Sequence, residues 1–251
     1  MLLEFHELNP DLGTAFLTAS ALIIIFGGTI GCTMINCAMK DVKNIPTLVK
    51  IALFGDKMNP KELIAMVGEL ADISRRLGVL ALEDKTEDIR KKSPFFARAL
   101  QYVIDGQSPE EVESILSEEI GAMEERHKSG AGVFNTMGGF APTMGIIGTV
   151  MGLIGALSKA AESASDPNAI VGAIATAFIA TFYGIGAANL LFLPLAGKLT
   201  SRSQEEVFYK TVQTEAVLAL CRGDSPRMIE TTLKTFFRPG EVEDPKKKEK
   251  E

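Results

Sequence analysis

Three uncharged apolar runs are separated by two stretches patterned as amphipathic helices. The longest pair fills Phe140–Lys198. It reads APTMGIIGTVMGLIGALS (Ala141–Ser158) and NAIVGAIATAFIATFYGIGAANLLFLPLAG (Asn168–Gly197), joined by the short polar loop Lys159–Pro167. Both runs are on the scale of the ~20 residues, at ~1.5 Å rise each, that cross a bilayer's hydrocarbon core. With so short a loop they form a helical hairpin whose ends emerge on one side. The third run, Leu12–Met39, contains ALIIIFGGTIG (Ala21–Gly31) and makes an N-terminal span. None of the three holds Asp, Glu, Lys, Arg or His.

The flanks orient these spans. Met1–Asp11 carries three acids and no Lys or Arg, so it lacks the basic start of a signal peptide. Lys40, Lys43 and Lys50 follow the N-terminal span, and Lys198, Arg202 and Lys210 follow the hairpin. By the positive-inside rule these flanks are cytoplasmic, while the acidic N-terminus and the Lys159–Pro167 loop lie outside.

Between the spans the pattern is helical. Asn59-Pro60-Lys61-Glu62, Ser93-Pro94 and Ser108-Pro109-Glu110-Glu111 are helix starts, the last a capping box, and Gly106 is a stop. Val112, Ile115, Leu116, Ile120 and Met123 keep one apolar face, with Gly130–Gly132 a candidate break before the membrane. The second hairpin helix continues amphipathically to Cys221. Gly223-Asp224-Ser225-Pro226 then starts a short helix near Arg227–Phe237. No alternating strand pattern occurs. The expected fold is all-α, a polytopic membrane protein. Its parts are an outer N-terminus (1–11), a span (12–39), a cytoplasmic helical domain (40–137), the hairpin (138–197), cytoplasmic helices (198–238) and a charged, disordered tail (239–251).

Composition narrows the function. A net charge of −6 argues against nucleic acid as a partner, since phosphate binding needs a basic face. Cys32, Cys37 and Cys221 form no metal or CxxC pattern, and His6 and His127 are far apart, so no metal site is expected. There is no P-loop, GxSxG or HExxH, and no catalytic residue is assigned.

What chemistry there is lies in small and hydroxylic residues. Gly145, Gly148, Gly152 and Gly155 face a stripe of Ala173, Ala177, Ala180, Gly184 and Ala188. Such stripes let helices approach closely in lipid, within one chain or between subunits. Pro142 and Pro194 fall at similar depth near the cytoplasmic ends of the hairpin, as helix-end features or as a hinge or gate. Thr149 and Thr181 lie mid-span, with Thr143, Thr176 and Asn189 nearer the ends. Their hydroxyls either bond back to their own helices or line an ion path. An ion-driven machine needs an ionisable intramembrane group, and these spans have none. If the chain conducts, a partner helix supplies the acid. In the cytoplasmic part, ISRRLGVLALEDK (Ile73–Lys85) alternates charge around an apolar centre. It is either a solvated face or a docking surface.

FGGTIGCTMINCAMKDV (Phe26–Val42), ADISRRLGVLALE (Ala71–Glu83), APTMGIIGTVMGLI (Ala141–Ile154) and TFYGIGAANLLFLPLAGKL (Thr181–Leu199) closely resemble the MotA/PomA flagellar stator subunits. The fold resemblance extends more weakly to the ExbB/TolQ energy transducers. The resemblance implies a subunit of an ion-driven torque generator in the cytoplasmic membrane. It further implies a ring, a pentamer, around a MotB/PomB-like single-span partner whose Asp binds the ion. Pro142 and Pro194 match the family's functional prolines, and Arg75 and Glu83 the charged pair that engages the rotor protein FliG. Thr149 and Thr181 match hydroxyls of the sodium-driven branch, so sodium is the expected cation with the proton as the alternative, and no cofactor is implied. The family has four spans. MLLEFHE resembles the outer end of the first, most of which this chain lacks. An ExbB/TolQ-like transducer acting on an envelope protein, and a passive membrane scaffold, are the competing readings.

Overall fold

Helix starts written into the sequence set the order of elements. The structure, a computed structural model, describes residues 19–54, 59–162 and 167–242. Residues 1–18, residues 163–166 of the polar loop and residues 243–251 of the charged tail therefore lie outside the described residues. A continuous helical run over residues 19–36, α1, consists of Ala19–Leu22, a wide π-helical turn at Ile23–Gly27, and Gly28–Asn36. It stops at Cys37, whose backbone is extended, so the helix itself ends at Asn36. Two short helices follow, α2 (Met39–Lys43) and α3 (Ile45–Phe54). Then come α4 (Pro60–Leu77), a 3-10 turn (Val79–Leu82), α5 (Glu83–Lys92) and α6 (Pro94–Ile104). The long helix α7 (Pro109–Glu162) is succeeded by α8 (Pro167–Gly186), a π-helical turn (Ala187–Phe192), α9 (Leu193–Cys221), α10 (Pro226–Thr235) and the single turn α11 (Pro239–Val242).

The caps work as the sequence dictates. Asn59 and Ser93 accept hydrogen bonds from the backbone N–H groups of Glu62 and Phe96, each with proline at the first helical position. Ser108 Oγ accepts from Glu111 N while Glu111 Oε2 accepts from Ser108 N at 3.1 Å, a closed capping box. These bonds favour the ionised carboxylate and hold Glu111 below its usual range. Gly130–Gly132 does not break α7. Gly130 instead lets Leu48 of α3 come close, about 3.0 Å from where a Cβ would stand.

The chain divides into two units, residues 1–54 with 127–201, and residues 55–126 with 202–251. Residues 40–54 and 127–137, grouped by sequence with the domain between the spans, therefore cluster with the spans. In the second unit Leu63, Val67 and Leu70 of α4, Leu82, Phe96 and Leu100 of α6, Val112 and Leu116 of α7, Val212 and Ala216–Leu220 of α9 and Ile229 and Leu233 of α10 form one apolar core. Of the anticipated α7 stripe, Val112, Leu116 and Met123 are buried, Ile120 packs at the edge, and Ile115 is exposed. In the first unit Phe134, Met137, Ala141, Ala188, Phe192 and Ala196 make a core of the hairpin, with Ala52 of α3 included.

Candidate functional site

In the hairpin, small residues decide how near the two helices come. A Cβ added at Gly184 would stand 2.6 Å from the Ala141 carbonyl oxygen and 3.0 Å from Gly145 Cα. One at Gly145 would stand 3.0 Å from Ala180 O and 3.1 Å from Thr181 Cα. Here backbone meets backbone, and no side chain fits between. Gly148 and Gly152 instead receive the side chains of Ala180 and Ala177, whose Cβ atoms lie 3.0 and 2.8 Å from where a Cβ would stand, while Gly155 has nothing within 4 Å. The glycine stripe is thus engaged within the chain at Gly145, Gly148 and Gly152.

This approach brings two hydroxyls together. Thr149 Oγ1 lies 2.5 Å from Thr181 Oγ1, 2.9 Å from Ala177 O and 3.1 Å from its own-helix Gly145 O. Thr181 Oγ1 is 3.4 Å from Gly145 O. Each hydroxyl has one proton and two lone pairs. With the protons directed to carbonyls or to each other, oxygen lone pairs are what the pair can offer a cation. Thr176 bonds back to Gly172 O, and Asn189 Nδ2 donates to Ile185 O.

Pro142 lies inside α7, half-buried, and Pro194 is exposed just after the π-helical turn Ala187–Phe192. A proline has no N–H to give the carbonyl four residues back and its ring crowds that carbonyl. For Pro142 that residue is Gly138, which also receives Leu193 at 2.5 Å from a built Cβ. For Pro194 it is Leu190, within the widened turn. Leu193, next to Pro194, packs on Gly138, one helical turn before Pro142.

Two further hydroxyls escaped the sequence reading. Thr29 and Thr33 of α1 are fully buried on the stripe that includes Ala21 and Ile25. Thr33 Oγ1 donates to Thr29 O at 2.7 Å, while Thr29 Oγ1 has no partner among the described residues. Their four-residue spacing from Ala21 and Ile25 was the available signal. Average hydropathy hides it.

In the other unit Arg75 lies in the last turn of α4 and Glu83 opens α5, both exposed on either side of a corner made by Gly78 (φ +85°) and the 3-10 turn. A cleft of about 660 Å³ in this unit is lined by Glu62, Lys92, Phe95, Glu206, Tyr209 and Lys210 among others. Its charges are matched internally. Lys92 pairs with Glu62 at 2.6 Å, which raises the lysine's pKa, and Lys210 pairs with Glu206 at 3.0 Å. The hydroxyl pair and the charged corner belong to different units and are separate features.

A helical membrane protein with a glycine-closed, uncharged hairpin and a second compact helical unit is a narrow class. A sequence profile of the MotA/TolQ/ExbB proton channel family matches residues 87–211. Motility protein A of Bacillus subtilis is 37% identical over 248 residues, covering 95% of this chain and 90% of that protein. Chemotaxis protein PomA of Vibrio alginolyticus is 32% identical over 225 residues, 90% of this chain and 86% of that one. The fold matches the flagellar MotAB stator complex from Bacillus subtilis at TM-score 0.84 and 36% identity, covering 94% of this chain and 89% of that one. It matches C. jejuni MotAB at TM-score 0.84 and 31% identity, covering 98% and 95%. The chain belongs to the MotA/TolQ/ExbB proton channel family.

Proposed function

We infer that this chain is a stator subunit of a bacterial flagellar motor, which with a MotB/PomB-like partner turns ion flow into torque. The observation carrying this reading is the hairpin itself. It is closed at Gly145 and Gly184 around paired hydroxyls, and it contains no acid or base to relay an ion. Such a hairpin works only beside a helix that brings a carboxylate. The likeness to Motility protein A and to MotAB complexes supports that partner and favours a motor over an ExbB/TolQ-like transducer.

The finer parts of the proposal follow from this. The chain is multi-pass in the cytoplasmic membrane, with copies arranged as a ring, a pentamer, around the partner. Sodium is the cation, met by Thr149 and Thr181, and Pro142 and Pro194 are the compliant points of the cycle. Arg75 and Glu83 engage a FliG-like rotor protein. Charge reversal, Arg75→Glu or Glu83→Lys, is expected to abolish or strongly reduce swimming while leaving membrane assembly intact. Reversed variants that swim at full speed at low and high load would rule out the charged contact.

A further inference from the structure

One side of α3 is used and the other is not. Ala52 is buried in the hairpin cluster, and Leu48 and Val49 pack against that cluster. Ile51, Leu53 and Phe54, however, are 45%, 62% and 76% exposed, with the exposed Lys50 among them. What meets this second apolar face follows from the level at which α3 lies and from the sign of the charges around it.

α3 meets the hairpin where charge stops. Leu48 approaches Gly130, and α7 carries no charged residue from Ser129 to Ser158, with Lys128 just before that run. The uncharged run of the second hairpin helix ends at Lys198, and the neighbouring Ala196 and Leu199 belong to the cluster that holds Ala52. In a spanning hairpin, the change from uncharged to charged sequence marks the passage from acyl chains to headgroups. The ions at this level are of one sign. Lys40, Lys43, Lys50 and Lys198 are exposed and make no ion pair among the described residues. Asp41 is engaged by Ser129, whose hydroxyl donates to it at 2.8 Å. The other acid among the described residues of this unit is Glu162, at the far end of α7. A second copy of the unit laid against this face sets lysine against lysine. A leaflet of anionic headgroups instead offers phosphate to the lysines and acyl chains to the apolar side chains.

We propose that α2 and α3 bind anionic phospholipid of the cytoplasmic leaflet. Ile51, Leu53 and Phe54 enter the outer part of the acyl layer, while Lys40, Lys43, Lys50 and Lys198 hold lipid phosphates. Lys50 serves both layers, its stem lying along the apolar surface and its ammonium reaching up to the headgroups. The assignment rests on the membrane orientation proposed above and adds to it a selectivity for headgroup charge.

The chain contains no tryptophan, so Phe54→Trp supplies a single fluorophore on this face. The full chain is reconstituted into vesicles of equal parts phosphatidylcholine and phosphatidylglycerol, with bromine on the acyl chains of one lipid or the other as a contact quencher. Brominated phosphatidylglycerol is expected to quench more strongly than brominated phosphatidylcholine. Adding Lys50→Gln should lower that preference about fivefold, Lys50→Arg should retain it, and added salt should weaken it in the parent. The combined Lys40→Gln, Lys43→Gln, Lys50→Gln variant should bring the two lipids close to parity. Equal quenching by both lipids in the Phe54→Trp parent overturns the headgroup preference. A second reporter, Ile23→Trp, marks an exposed position within the N-terminal span. Quenching there with none at position 54 overturns the lipid contact and leaves the membrane reading intact. If neither reporter is quenched, the membrane reading falls with the proposal.

Discussion

Thr149 and Thr181 touch because Gly145 and Gly184 leave no side chain between their helices. The hydroxyl contact at 2.5 Å is therefore a consequence of the backbone approach, not its cause. Replacing both threonines with valine keeps the branched shape and removes the oxygens. Each lost hydrogen bond costs about 1 kcal/mol, little enough for the hairpin to stay closed. The expected outcome of Thr149→Val with Thr181→Val is a torque that no longer depends on sodium, read as swimming speed against sodium concentration at fixed membrane potential. A double variant with the parent's sodium response would remove these oxygens from the ion path. The glycine rhythm was legible because small residues at three- and four-residue spacing have one use in lipid, close packing. Thr29 and Thr33 were not legible, because two hydroxyls in a strongly apolar run change its mean hydropathy little. Only their register with Ala21 and Ile25 shows that they are buried.

At the scale of a helix, capping chemistry and the stops at Gly106 and Gly223 were readable, and the Gly130–Gly132 break was not. Ser93, Ser108 and Ser225 each begin a helix where a Ser-Pro pair stands. Gly130–Gly132 looked like a stop, yet α7 runs on, because its neighbour α3 uses Gly130 for contact with Leu48. A glycine in sequence does not say whether it frees the backbone or admits a neighbour. Proline is less ambiguous. Pro142 forfeits the hydrogen bond to the Gly138 carbonyl within α7, and an interior proline costs a helix about 3 kcal/mol. A compliant point at this position offers a reason to keep it. Pro142→Ala restores the bond and stiffens the helix, so rotation of a tethered bead should slow while membrane insertion and partner capture stay at parent levels. An unchanged rotation rate across the load range would show that α7 does not flex there.

For the whole molecule, the class was legible from the length and neutrality of the apolar runs, whereas the division into units was not. Residues 40–54 carry three lysines and were grouped by sequence with the domain between the spans, and α3 buries Ala52 in one cluster with Ala131, Phe134 and Met137, so it packs in the unit that holds the hairpin. Charge marks which side of a bilayer a segment lies on, but packing decides what it belongs to. The uncharged spans carry the larger consequence. A carboxylate placed mid-membrane costs roughly 2.5–3.5 kcal/mol on insertion scales, and such groups are kept where an ion must be held and released. This chain places none in its spans and offers hydroxyl and carbonyl oxygens, which contribute partial charge but cannot take up and release a proton at neutral pH. Reconstituted alone into vesicles, the protein is expected to pass neither protons nor sodium above the lipid background under an imposed potential. Co-reconstitution with a single-span partner bearing a membrane aspartate should open a flux that vanishes when that aspartate is replaced by asparagine. A full-rate flux through this chain alone would mean that its own oxygens suffice, and the division of labour between sleeve and acid would be wrong.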